Sequence, residues 1–129
     1  MSATIAELPG LHATVDRVSY VPHLEAPSDK PFPFVYFITI HNDSEATVTV
    51  KGRKWVVTDA TGDTVVVEGD GVVGKFPRLA TGENFSYNSY HVIGSESAAE
   101  GSFLGLTEEG QAVLIRIPRF EMKPPGAEE

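Results

Sequence analysis

Apolar and polar residues alternate along this chain in short runs, and nowhere do the apolar ones recur cleanly every three or four positions. A period of two belongs to half-buried strands and a period near 3.6 to helices. The runs are rich in Val, Ile, Thr, Phe and Tyr, and 9 prolines and 12 glycines are spread over the whole length. No window of helical length keeps an apolar stripe clear of these breakers, so the pattern predicts an all-β sandwich or barrel.

Seven runs emerge. The first, Leu11 to Val21, carries Ala13 and Val15 on one parity and Val18 and Tyr20 on the other, a phase slip that predicts a β-bulge. After a proline-rich loop, Pro22 to Pro33, the run Phe34 to Asn42 is largely apolar on both parities, as in a central strand. The third begins at Thr47 and changes parity between Val50 and Trp55, with Gly52 marking a bulge or bend. A hairpin loop, Asp59 to Asp63, leads to the fourth, Thr64 to Glu68; a glycine-rich stretch and Lys75 to Arg78 follow. Asn84 to Val92 alternates Phe85 and Tyr87 with polar residues and forms the fifth, half-buried strand. Ile93 to Glu100 reads as a polar loop, Gly101 to Leu106 as a short sixth strand, and Gln111 to Phe120 as the last, with Val113, Ile115 and Ile117 inward. Residues 1–10 read as a flexible lead, 11–122 as the single domain, and 123–129 as a frayed tail.

The 129 residues leave room for one ordinary domain. With 18 acidic against 10 basic side chains, the net charge of −8 opposes nucleic acid and anionic membrane surfaces as partners. There is no cysteine, which removes disulfides, thiolate metal sites and cysteine nucleophiles together. No apolar run approaches the roughly 20 residues that span a bilayer. Met1 to Gly10 has neither a basic start nor an apolar core, so the chain reads as cytoplasmic.

Several blocks then resemble the bacterial ApaG family: G-R-K-W-V-V-T-D-A-T-G (Gly52 to Gly62), E-G-D-G-V-V-G (Glu68 to Gly74), L-A-T-G-E-N-F-S-Y (Leu79 to Tyr87), Gly101-Ser102-Phe103 and R-I-P-R-F (Arg116 to Phe120). The resemblance runs from about Leu11 to Phe120. It implies an immunoglobulin or fibronectin type III-like antiparallel sandwich of about seven strands. It also implies an association with cobalt resistance and magnesium efflux, and a module that binds proteins; no reaction comes with it.

Candidate chemistry is sparse. Gly69, Gly71 and Gly74 have the spacing of a dinucleotide fingerprint, which depends on a following helix to cradle a pyrophosphate. Pro77 and Gly82 come too soon for that helix. Two readings of the loop remain: glycines supplying positive φ for a tight crossover between sheets, or an anion nest assisted by Lys75, Arg78 and Arg53 that takes pyrophosphate or a nucleotide. His12, His23, His41 and His91 show no metal-ligand spacing, no serine sits in a nucleophile elbow, and Asp59 and Asp63 are explained by turn chemistry. Trp55 is assigned to the core, and the aim of Arg53 depends on where the bulge at Gly52 ends.

These residues favour a non-enzymatic binding module, without cofactor, metal site or catalytic residues. It would hold a protein partner and be a monomer or weak homodimer. The alternative is a metal-dependent nucleotide or polyphosphate hydrolase.

Overall fold

A computed structural model describes residues 4–126, which form eight strands and no helix. Residues 1–3 and 127–129, the outer ends of the lead and tail, lie outside the described residues. The strands are β1 (Leu11–Tyr20), β2 (Phe32–Asn42), β3 (Val48–Asp59), β4 (Thr64–Asp70), β5 (Arg78–Leu79), β6 (Glu83–Ile93), β7 (Ser97–Thr107) and β8 (Ala112–Met122). Their ladders are all antiparallel. One sheet has the order β1-β2-β6; the other runs β4-β3-β7-β8, with the two-residue β5 also paired to β3. The result is the antiparallel sandwich the sequence predicts, with β5 as one strand more.

Where the parity slips, the ladders bulge. The β1–β2 register shifts between Val15 and Arg17, so that Leu11, Ala13 and Val15 and then Val18 and Tyr20 all face the other sheet. The β3–β7 register shifts between Val50 and Gly52, which lets Val48, Val50 and Trp55 share the core in spite of their numbering. A third slip, opposite Glu100 between Ala99 and Gly101, turns Phe120 and Met122 inward after Ile117. Each extra residue keeps one sheet face apolar where strict alternation would expose half of it.

Two placements differ from the sequence reading. The polar loop assigned to Ile93–Glu100 shrinks to Gly94–Glu96, because β7 already begins at Ser97 and buries Ser97, Ala98 and Ala99. These small residues carry no apolar signal, yet they fit where β7 lies between β3 and β8. The glycine-rich stretch is also no crossover between sheets: it turns β4 back toward β5 on the same edge of β3, and the chain changes sheets only after Leu79.

Between the sheets lies one apolar core, from Leu11 and Ile40 at one end to Trp55, Phe103 and Ile115 in the centre. Residues 4–10 run along the outer edge of β8: Ala6 donates to the Ala112 carbonyl at 3.0 Å, Leu114 donates to Ala6 at 2.9 Å, and the Arg116 guanidinium donates to the Glu7 carboxylate at 2.8 and 3.1 Å. Fully buried Asn42 ties the end of β2 to the next layer, its amide donating to the carbonyls of Ala46 and Leu79 at 2.8 Å each.

Candidate functional site

The glycine loop is a small hairpin. Val72 and Lys75 exchange backbone hydrogen bonds at 2.8 and 2.9 Å around Val73 and Gly74, whose φ angles are +44° and +78°. Two successive left-handed residues make this a turn of the primed kind, for which Asn-Gly is the usual choice; a β-branched valine there is under strain. Gly71 has a φ of +64°, and its amide donates to the Lys51 carbonyl at 2.7 Å. The amides of Gly71, Val72 and Lys75 are thus committed to the protein itself.

The cations chosen from sequence are spread out. Arg53 faces inward, opposite Gly69 in the β3–β4 ladder, and its Nη1 donates to the carbonyls of Asp70 and Gly71 at 2.9 and 3.2 Å. Arg78 donates through Nε to Glu108 at 2.8 Å. Lys75 is exposed at the hairpin tip, and the Lys51 ammonium lies 6.0 Å from the centre of the exposed Phe76 ring. The structure therefore joins Gly69, Gly71 and Arg53 in one backbone-bracing unit and places Lys75 and Arg78 apart from it.

Sequence spacing missed a histidine in the core. His91 is 8% exposed and packs 4.7 Å from Trp55, edge to face, and 4.8 Å from Tyr36, with Phe120 closing the cluster. Its signal was parity, since it continues the inward series Phe85, Tyr87 along β6. Burial holds its imidazole down to about 4 and pushes the hydroxyls of Tyr36 and Tyr87 up. Three buried polar atoms here, His91 Nε2, Trp55 Nε1 and Tyr87 Oη, have no hydrogen-bond partner among the described residues. On the opposite sheet face the β1–β2 ladder stacks His12 on His41 at 4.7 Å, and Thr14 links His41 to Asp16. Among the described residues no three His, Asp or Glu side chains gather to hold a metal ion, and no helix is long and apolar enough to cross a membrane.

The four sheet edges are unequal. That of β8 is covered by residues 4–8, and β1 is bulged and carries Asp16 and Arg17. β4 and β6, on the same side of the sandwich, have one strand partner each. β4 presents Val65, Val66 and Val67 at 44%, 52% and 41% exposure without the lysine, proline or bulge that normally blunts an edge.

Two antiparallel sheets packed face to face around one apolar core define a small β-sandwich domain. The family model of the ApaG domain (DUF525) matches residues 22–105, and the chain belongs to that family. It is 36% identical over 110 residues to Protein ApaG of Vibrio cholerae, covering 84% of this chain and 87% of that one. To Protein ApaG of Pseudomonas paraeruginosa it is 37% identical over 109 residues, covering 84% and 86%. The crystal structure of a Bordetella pertussis protein named ApaA superposes with a TM-score of 0.80 at 29% identity, over 95% of this chain and 99% of that one. The solution structure of a protein named as late embryogenesis abundant (LEA) shares the fold alone, with a TM-score of 0.53 at 11% identity over 91% of this chain and 72% of that one.

Proposed function

We propose that this protein is a non-enzymatic binding module that acts through protein–protein contacts. The observation that carries the reading is the β4 edge, where three consecutive valines are exposed on a strand with a free side. A sheet edge of that kind invites pairing with another chain, and an apolar one adds the burial that makes pairing favourable. The family's association with cobalt resistance and magnesium efflux is then indirect, exerted through the partner. Affinity capture from the native host with the full chain tests this: a stoichiometric protein partner is expected. Turnover of ATP or diadenosine polyphosphates with magnesium, cobalt or manganese, surviving repurification and abolished by a point mutation, would establish the hydrolase instead.

A second proposal is an anion at the hairpin tip. The amides of Val73 and Gly74 follow one another in left-handed backbone and are free of the turn's own bonds, with the Lys75 side chain exposed beside them. Pyrophosphate at ten times its Kd would stabilise the fold by about 1.4 kcal/mol, a shift of a few degrees in melting temperature that Lys75→Glu abolishes. No shift at millimolar pyrophosphate removes this reading.

A further inference from the structure

The two sheets differ in width. Four strands lie across one, β4-β3-β7-β8, and three across the other, β1-β2-β6. β1 packs against β8 at one side of the sandwich. Ring contacts then set β2 and β6 over the middle: Tyr36 of β2 touches Trp55 and Phe120, and His91 of β6 touches Trp55 of β3. Among the described residues no strand is left to lie opposite β4. Val65 and Val67 pair in the ladder with Val57 and Trp55, so they share their inward aim. Trp55 is nonetheless 1% exposed, whereas Val65 and Val67 are 44% and 41% exposed. The inner face of β4 overhangs the end of the narrower sheet.

Beneath that overhang is a cleft of about 410 Å³. Val57, Val65, Val67 and Ile93 form its apolar walls, and His91, more than nine-tenths buried, lines it with Nε2 unpartnered. Asp29, Asp59 and Asp63 line the cleft with Lys30, three acidic residues to one basic, and the Asp59 carboxylate accepts from the Thr61 amide and hydroxyl and the Asp63 amide. Along the other wall runs β6, whose ladder partner is β2 alone, so one side of its backbone faces the gap. Neighbouring strands are spaced by about 4.8 Å; a sheet one strand short therefore leaves a slot one strand wide.

We infer that an extended peptide segment of a partner protein, with valine-like side chains at alternate positions and basic ones between them, inserts between β4 and β6 as a fourth strand of the narrower sheet. This rests on the protein-binding reading above and names the site and the chemistry of the partner. An inserted strand satisfies the open side of β6 with main-chain hydrogen bonds, which a compact small molecule cannot do along a strand. Its inward, valine-like side chains cover Val65 and Val67 beside His91. Its basic side chains meet Asp29, Asp59 and Asp63, in a protein whose net charge is −8.

The test uses the full chain and a fluorescein-labelled octapeptide of alternating lysine and valine. Saturable binding below millimolar concentration is expected, with slowed amide exchange confined to β6 and a shift of the His91 ring nitrogens in NMR. Val65→Glu and Val67→Glu should each weaken binding at least tenfold, as should N-methylation of alternate peptide bonds or replacement of lysine by glutamate in the peptide. Leu104→Glu, at an exposed apolar position of β7 outside the cleft, should leave affinity within twofold, and circular dichroism melts of Val65→Glu and Val67→Glu should show both variants folded. Absence of binding at millimolar peptide, undiminished binding by Val65→Glu and Val67→Glu, or protection appearing on β1 or β8 would each overturn the inference. So would a wild-type dimer that Val65→Glu dissociates, because a second copy would then fill the slot. A natural partner captured equally by wild type and Val67→Glu would overturn the slot while leaving the binding-module reading intact.

Discussion

The guanidinium of Arg53 occupies the space that a side chain at Gly69 would need: a β-carbon built there would lie 2.7 Å from Nη1 and 2.8 Å from Cζ. The two positions face each other across the β3–β4 ladder. Glycine at 69 thus lets Arg53 reach the carbonyls of Asp70 and Gly71 and pin the start of the hairpin. Gly69→Ala should displace the guanidinium and cost about 1 kcal/mol, as should Arg53→Ala. Because both remove the same bonds, the double variant should cost clearly less than the sum, a coupling that a double-mutant cycle by urea denaturation reads directly.

Two neighbours in that hairpin should respond in opposite directions. Gly71 is left-handed, and a β-carbon there runs into the Lys75 carbonyl, so Gly71→Ala should destabilise by roughly 2 kcal/mol or more. Val73 is also left-handed but exposed and β-branched. Val73→Asn should stabilise by about 1 kcal/mol, raising the melting temperature by a few degrees.

Folding removes most of the water around His91, and its pKa falls from 6.5 to about 4. Between those values the unfolded chain binds a proton that the folded chain excludes. Stability from this group is complete above pH 6.5 and is lost as the pH falls toward 4, by about 3 kcal/mol across the window. His91→Phe fits among the rings of Tyr36, Trp55 and Phe120 and should flatten that part of the stability–pH curve; a slope unchanged from wild type would refute the assignment.

Buried Asn42 joins the turn after β2 to β5, and its Oδ1 accepts from the Ser44 backbone N–H at 3.1 Å. Asn42→Ala leaves the Ala46 and Leu79 carbonyls without this partner in the interior. A loss of about 3 kcal/mol is expected, seen as a lower denaturation midpoint with the slope unchanged.

At Gly101 the β3 and β7 backbones meet so closely that a β-carbon would collide with the Lys54 carbonyl. Gly101→Ala should therefore either prevent folding or force β3 from β7, costing several kcal/mol. Soluble expression and a circular dichroism melt against wild type measure it.

Alternation and its slips were enough, from the sequence alone, to establish the all-β class, the bulges in β1 and β3, and the inward residues Trp55, Val113, Ile115 and Ile117. Those features follow from a period of two, which is local and visible without any partner strand. The start of β7 was hidden because Ser97, Ala98 and Ala99 owe their burial to the strands on either side. His91 lay on the inward parity, but its burial and its lost hydrogen bond come from Trp55 and Tyr36, distant in sequence. The loop glycines were visible as glycines; that Gly69 makes room for Arg53 while Gly71 and Gly74 turn the chain depends on which strand lies beside them. The unequal width of the two sheets, and the slot between β4 and β6 that results, belongs to the tertiary structure alone. Strand pairing fixes it, and no single strand's pattern records how many neighbours the opposite sheet will have.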